Sequence, residues 1–245
     1  MSRVTDILCV FRIQLMSMRN EVGPFLLAGL VFPAGMYLFA NAVSGSENAH
    51  QQNRLRFLAG SIIFSLSLTS ISWLGYLLLE NRFTGRLKLF ATLPLAPSSY
   101  ICGMLVFAFV QATLSTVTLL IIGRALGVPT RPNIMLAPVL MLTVLTFCGL
   151  GAVVAARARS FTQGSLLTDA LGAGLVFLSP VYYTAESMPA SMRTVSGLLP
   201  TTFAARAVQT TLTGGYQVGS ELVALSLMAL ATLFLGFRLT RWREE

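Results

Sequence analysis

The chain has 245 residues, of which 55% are hydrophobic and only 11% are charged. A soluble domain carries about 25% charged residues, so this composition excludes a water-soluble globular protein. The net charge of +8 does not indicate nucleic-acid binding, because the basic residues lie in short segments between apolar runs and form no patch interleaved with aromatic residues.

Residues 1–21 are predicted to form a helix that lies along the membrane surface. Apolar residues recur there at steps of four and three, which is the spacing of one helix face. This stripe consists of Val4, Leu8, Phe11, Leu15 and Met18. Arg12 and Arg19 border the stripe and can extend to lipid headgroups. The alternative is an ordinary cytosolic lead-in segment; a cleavable signal peptide is not expected, because the charges leave no apolar stretch for one.

The next feature in the chain is a series of apolar runs. Each is close to the length of about 20 residues that a helix needs to cross a hydrocarbon layer about 30 Å thick. The runs are Val22–Ser46, Phe57–Leu79, Leu89–Gly123, Pro132–Ala156, Gly164–Ala185 and Ser220–Phe237. We therefore predict an all-α polytopic membrane protein, in which residues 1–245 form a single transmembrane domain with six spanning helices.

The distribution of basic residues predicts the orientation of the chain. If the N-terminus is cytoplasmic, 11 of the 17 Lys and Arg residues fall in cytoplasmic segments and 6 fall in outer segments. Cytoplasmic loops carry an excess of Lys and Arg. The count therefore predicts a multi-pass protein of the inner (plasma) membrane with both termini in the cytoplasm.

Two connections between the runs are unusually long. Residues 80–100, on the predicted cytoplasmic side, combine charged residues with an apolar end. Residues 185–219, on the predicted outer side, are far longer than a median loop and too apolar for a solvated one. Pro189 and Pro200 divide them into two short helical candidates. Because backbone polar groups at membrane depth must be paired, we predict short re-entrant helices at the outer face, between spans 5 and 6.

The sequence offers no catalytic or metal-binding constellation. His50 is the single histidine, and it has no second ligand at metal-binding spacing. The Gly-rich phosphate-binding loop of nucleotide hydrolases is also missing. We therefore expect a chain that is not an enzyme and that binds no metal and no cofactor of its own. A membrane enzyme is the least favoured class of function.

Polar residues inside the apolar runs are candidates for the lining of a transport pathway. They recur at helical spacing in the second and third runs, and the alternative is hydrogen-bonded packing between helices. The candidates are Ser61, Ser65, Thr69, Ser72, Gln111, Ser115 and Thr118. In the fourth run, small residues predict close packing against another helix. These are Gly151, Ala152, Ala155 and Ala156.

Asp169 interrupts the fifth run. An ionisable residue at membrane depth indicates a functional site by default. However, Asp169 lies near the start of the predicted helix, where the helix dipole favours a carboxylate and where Arg157 or Arg159 could pair with it. The structural interpretation is therefore preferred to a direct role in transport.

Two segments match one known family in order and in predicted membrane side. The first starts at Glu80 and reads Glu-Asn-Arg-Phe-Thr-Gly-Arg-Leu-Lys-Leu-Phe-Ala-Thr-Leu-Pro-Leu. The second, Gly174–Arg206, contains Phe-Leu-Ser-Pro, Glu-Ser-Met-Pro and Leu-Leu-Pro-Thr in turn. Together they resemble the type-2 ABC transporter permeases. Residues that fit the first-loop pattern of that family are Glu80, Gly85, Leu87, Pro94 and Gly103, whereas Arg86 and Lys88 stand where Thr and Glu are usual.

The resemblance implies a permease subunit that pairs with a second copy of itself and docks two cytosolic ATP-binding cassette ATPase subunits. Nucleic acid is not among the expected partners, given the placement of the basic residues. ATP and Mg would be bound by those partners, and a drug, a lipid-linked molecule or a polysaccharide would be exported by alternating access. The residues implied in coupling are Glu80, Arg82, Gly85, Arg86, Leu87, Lys88, Leu89, Phe90 and Pro94, and those implied in the outer re-entrant region are Glu186, Pro189 and Pro200. The alternative function is a non-transport membrane assembly or sensing subunit.

Overall fold

The computed structural model of the chain describes residues 3–20, 23, 26–27, 31–43, 50–86, 97–184, 186 and 188–239. Within these ranges the regular structure is entirely helical, and no strand occurs. This confirms the predicted all-α fold.

The helices are named here in chain order. They are α1 (Arg3–Asn20), α2 (Phe32–Val43), α3 (His50–Ser67), α4 (Leu74–Phe83), α5 (Pro97–Ala125), α6 (Leu136–Arg157), α7 (Phe161–Phe177), α8 (Ala190–Ser196), α9 (Pro200–Leu212) and α10 (Gly219–Leu239). A π-helical segment, Leu68–Trp73, joins α3 to α4 without a break. We call α3, the π segment and α4 together the central helix.

Four helical stretches are long and apolar enough to cross a membrane among the residues described. They are Asn53–Phe83, Ser99–Ala125, Leu136–Arg157 and Gly219–Gly236. They correspond to the second, third, fourth and sixth predicted spans. Four of the six predicted spans are therefore helices of spanning length and composition.

The remaining two predicted spans have a different outcome. Part of Val22–Ser46 lies outside the described residues, and α2 covers 12 of its positions. α7 has 17 residues, which corresponds to about 25 Å at 1.5 Å per residue. It ends at Phe177, shortly before Pro180, because the residue that precedes a proline disfavours the helical conformation. The predicted span Gly164–Ala185 is thus helical only in its first part.

The central helix is the most buried of the four stretches. In the most apolar window of Asn53–Phe83, 72% of the residues are buried, compared with 17% for Gly219–Gly236. Leu58, Ile62, Leu66 and Ile71 of the central helix are fully buried. The other helices contact it on several sides, namely α2, α5, α6, α7 and α9. The fold is therefore a bundle built around one interior helix.

Small residues allow the close helix contacts that the sequence predicted for α6. A Cβ atom at Gly151 would lie 2.7 Å from the carbonyl oxygen of Ile71 in the π segment. On another face of α6, a Cβ atom at Gly149 would lie 2.4 Å from the Oγ1 atom of Thr232 in α10. Close backbone approach at small residues is the usual means by which helices associate in membranes.

α1 packs along the first half of α5. The rings of Phe11 and Phe107 have centroids 6.2 Å apart, and Val10 lies against Gly103. The buried face of α1 consists of Asp6, Val10 and Gln14, whereas Leu8 and Leu15 of the predicted apolar stripe are exposed. Leu8 and Leu15 therefore face away from the bundle, where they are available to lipid, whereas Phe11 of the same stripe packs on α5. That α1 lies along the membrane surface stays a prediction.

Residues 185–219 contain two short helices, at the positions that Pro189 and Pro200 predict. Pro189 directly precedes α8, and Pro200 is the first residue of α9. α9 is well packed, with Ala204, Ala205 and Val208 among its buried residues. α8, by contrast, exposes most of its residues. That these helices are re-entrant stays a prediction.

Candidate functional site

The last turn of α4 and the residues that follow it form the first part of the predicted coupling segment. Arg86 forms an ion pair with Glu80, with a 3.0 Å separation between Nη1 and Oε1. The hydroxyl group of Thr84 donates a hydrogen bond to the carbonyl oxygen of Glu80. Gly85 has a φ of 76°, a conformation that glycine adopts readily just past the end of a helix. The chain thus leaves α4 through a defined turn.

Arg82 ties α4 to the end of α6. Its Nη1 atom donates hydrogen bonds to the carbonyl oxygens of Ala155 at 3.2 Å, Ala156 at 3.3 Å and Ala158 at 3.0 Å. The last carbonyl groups of a helix lack partners within the helix and carry partial negative charge. The guanidinium group of Arg82 gives these carbonyl groups hydrogen-bond donors and also places a positive charge beside them. The sequence pointed to Arg82 only through the family resemblance and gave no sign of this partner.

Asn81 makes a second link at the same end of the bundle, which we call the Arg82 end. Its side-chain amide donates a hydrogen bond of 2.7 Å to the hydroxyl group of Tyr100, near the start of α5. Both side chains are buried. Asn81 was not among the predicted site residues, although an amide at the end of an apolar run is a signal that could have identified it.

The two links fix both ends of the segment between α4 and α5. Arg82 holds the end of α4, and Tyr100 holds the start of α5. Five of the predicted coupling residues lie outside the described residues, so their positions stay predictions. They are Leu87, Lys88, Leu89, Phe90 and Pro94. The structure therefore describes a hydrogen-bonded frame on either side of the predicted coupling helix.

The predicted pathway-lining residues lie mostly in the interior of the bundle. Ser65 of the central helix and Ser115 of α5 form a hydrogen bond between their hydroxyl groups. Ser72 donates to the carbonyl oxygen of Thr168 in α7 at 3.5 Å. Thr69 and Thr118 instead donate to carbonyl groups of their own helices, at 2.8 and 2.9 Å. The structure thus joins Ser65 and Ser115 across two helices, whereas Thr69 and Thr118 bond within their own helices.

Two other candidates have buried polar atoms without a hydrogen-bond partner among the described residues. These atoms are the hydroxyl oxygen of Ser61 and the Oε1 atom of Gln111. A buried polar atom without a partner destabilises a fold by about 1–3 kcal/mol. Such atoms are unusual in native proteins and call for an explanation. They are consistent with a polar pathway, and that role stays a prediction.

The π segment is a feature that sequence analysis missed. It spans Leu68–Trp73 and adjoins Gly151 of α6 and Thr168 of α7. π-helical turns inside α-helices occur frequently at functional sites. Here the segment lies within one turn of Ser65, at the level where three helices meet. No local sequence pattern marks it, because it depends on the contacts of neighbouring helices.

Asp169 does not form the predicted ion pair with Arg157 or Arg159 within the described part of the chain, and its side chain is exposed on α7. The reason lies in where α7 begins. Ser160 caps the helix by accepting a hydrogen bond from the backbone N–H of Gln163 at 3.2 Å. Asp169 is therefore in the third turn, beyond the reach of the two arginines.

The residues predicted for the outer re-entrant region lie at the opposite end of the bundle. Glu186 is exposed, and its carbonyl oxygen accepts a hydrogen bond of 3.2 Å from Arg193. Thr201, next to Pro200, donates to the carbonyl oxygen of Leu175 at 3.0 Å. Ser179 also bonds to the Thr201 hydroxyl group. These bonds tie the end of α7 to the start of α9.

His50 begins α3, but its side chain lies outside the described residues. Among the residues that the structure describes, no three His, Cys, Asp or Glu side chains are grouped as metal ligands. Among the described residues, hydrogen bonds link helices at both ends of the bundle, and the Glu80–Arg86 ion pair lies at the Arg82 end.

A family model described as ABC-2 type transporter matches residues 7–213. The match runs from α1 to the end of α9 and includes both segments in which the sequence resembles type-2 permeases. A comparison with curated proteins gave no match. Because the family model covers most of the 245 residues, this chain belongs to the ABC-2 type transporter family.

Proposed function

We propose that this membrane protein is the permease subunit of an ATP-driven exporter that moves its substrate out of the cytoplasm by alternating access. The observation that carries the proposal is the family match over residues 7–213, joined to a bundle with four apolar helices of spanning length. The substrate classes that the family resemblance favours are drugs, lipid-linked molecules and polysaccharides.

The proposed topology has six spans and both termini in the cytoplasm. The excess of Lys and Arg in the corresponding segments supports it. In this topology the Arg82 end of the bundle faces the cytoplasm, and α8 and α9 are re-entrant helices at the outer face. The buried Ala204 and Val208 of α9 support a position packed on protein, as backbone at membrane depth requires.

The proposed energy source is ATP hydrolysed by a separate cytosolic cassette ATPase, with two permease chains in the complete transporter. The segment Glu80–Pro97 would form the contact with that ATPase. Its frame supports this role, because Arg82 and Asn81 connect its ends to α6 and α5. A displacement of the segment would then reach the bundle through these bonds instead of being absorbed by a loose loop.

Accumulation assays test the proposal. Cells that express the chain together with its cassette ATPase should retain less of a transported compound than cells that express either protein alone. The matched control is an ATPase whose phosphate-binding lysine is replaced, which should abolish the difference. Vanadate-sensitive ATP hydrolysis by the purified permease chain alone would contradict the proposed division of labour. Equal retention of all candidate compounds in the four strains would favour the assembly or sensing subunit instead.

A further inference from the structure

An apolar cavity of about 380 Å³ lies at the Arg82 end of the bundle, between α4, α5, α6 and α10. Its walls include Leu78, Met104, Ala152 and Leu233. Arg82 is the one charged residue among the lining residues that the structure describes. Ligand-binding cavities commonly have volumes of about 300–1,000 Å³. The space is therefore large enough for an apolar ligand, and it lies within one chain.

The cavity opens sideways, along α10. Leu230 and Phe234 line it and are nevertheless 68% and 63% exposed. Met104, on the inner wall, is 2% exposed. Because α10 is the least buried of the four spanning stretches, the opening faces the position of the surrounding lipid. A hydrocarbon chain can enter the cavity from the bilayer without crossing water.

Cationic residues are concentrated at the end of the cavity where the lining helices α4, α6 and α10 end. Arg82 lines the cavity itself. Arg157 directly follows the lining residue Ala156 on α6, and Arg238 lies two residues beyond the lining residue Gly236 on α10; both arginines are exposed. The end of the cavity therefore carries positive charge beside an apolar interior.

We propose that this cavity binds one anionic phospholipid of the surrounding bilayer. An acyl chain would occupy the space between α5 and α10, and the phosphate group would lie near Arg82, Arg157 and Arg238. Basic pockets between transmembrane helices bind anionic headgroups in this way. In the proposed topology this lipid belongs to the cytoplasmic leaflet, and only that assignment rests on the proposed function.

Native mass spectrometry of the detergent-purified chain, without any ATPase, tests the headgroup preference. The probes are phosphatidylglycerol and phosphatidylcholine with identical acyl chains. One arginine near an anionic headgroup contributes about 1 kcal/mol, or about fivefold in affinity. Replacing both Arg157→Gln and Arg238→Gln should therefore reduce the preference for phosphatidylglycerol by about 25-fold. Arg206→Gln, which removes an exposed charge on α9, should leave it unchanged.

A second pair of variants tests the location of the acyl chain. Leu105 lines the cavity, whereas its neighbour Val106 is exposed and does not line it. Leu105→Trp should fill the cavity and weaken the binding of both lipids at least about tenfold, a loss of about 1.4 kcal/mol, and Val106→Trp should have no effect. If Leu105→Trp does not fold, Leu230→Trp at the exposed opening replaces it, with Leu227→Trp as its control.

Two results would overturn the proposal. One is equal binding of the two lipids by the unaltered chain. The other is unchanged phosphatidylglycerol binding by a folded Leu105→Trp or Leu230→Trp variant. Neither result bears on ATP-dependent export, because no ATPase is present in these measurements. Failure of the lipid site and failure of the proposed function are therefore distinguishable.

Discussion

The central helix and α10 are both apolar enough to span a membrane, yet they occupy opposite environments. The central helix is the most buried spanning stretch, and α10 is the least buried. Along the central helix, hydroxyl groups and glycines meet neighbouring helices, as at Ser65 and Gly75. Along α10, large apolar residues such as Leu227 are exposed. Apolar length thus identifies a membrane span, whereas small and polar residues identify the face that packs on protein.

The largest effect on stability is expected where two backbones touch. A Cβ atom at Gly151 would lie 2.7 Å from the carbonyl oxygen of Ile71, and backbone cannot move aside as a flexible side chain can. Gly151→Ala should therefore lower the free energy of unfolding by about 3 kcal/mol, the upper end for overpacking. Gly174→Ala is the matched control, because a Cβ atom there meets nothing within 4 Å. Unfolding in mixed micelles measures both, and equal effects would contradict the described contact.

An intermediate effect is expected from removing apolar volume in the two helices. Ile62 of the central helix is fully buried, and Leu227 of α10 is 64% exposed. Ile62→Ala should lower the free energy of unfolding by about 2 kcal/mol, the lower end for buried truncations. The loss is at the lower end because the side chain can contact lipid when it is not buried in protein, so its transfer free energy is smaller than from water. Leu227→Ala should change it by less than about 0.5 kcal/mol. The same unfolding assay compares them, and a larger loss for Leu227→Ala would mean that α10 is covered by protein.

The smallest effect is expected from the hydrogen bond between Ser65 and Ser115. Hydrogen bonds between membrane helices contribute about 0.6 kcal/mol on average. A double-mutant cycle with Ser65→Ala and Ser115→Ala should give a coupling energy of about that size. Transport should survive in the double variant if the bond serves packing. Loss of transport with an unchanged free energy of unfolding would instead support the predicted role in lining a pathway.

Much of the fold could be predicted because apolar length and proline positions are local signals. Four spanning stretches and the two short helices after Pro189 and Pro200 follow from such signals. The π segment could not be predicted in this way, since it depends on contacts with α6 and α7. The buried face of α1 was also missed, because it includes the polar residues Asp6 and Gln14, and hydropathy favours the opposite face.

The candidate site was predictable to a smaller extent. The family resemblance pointed to Glu80, Arg82 and Gly85, but the partners of Arg82 are carbonyl groups on α6, more than 70 residues away in the chain. Backbone carbonyl groups carry no sequence signal. The partner of Asn81 was likewise out of reach, because the pairing with Tyr100 requires the geometry of the connection between α4 and α5.

Co-purification with the cassette ATPase tests whether the segment Glu80–Pro97 couples the permease to ATP hydrolysis. A few buried apolar or Arg residues dominate a protein interface, each contributing roughly 1–4 kcal/mol. The double variant Leu87→Asp, Phe90→Asp should therefore insert into the membrane normally but lose ATPase binding and transport. Leu126→Asp with Ile134→Asp, at exposed positions in the connection between α5 and α6, is the matched control and should retain both. Undiminished ATPase binding and transport in the first variant would contradict a coupling role.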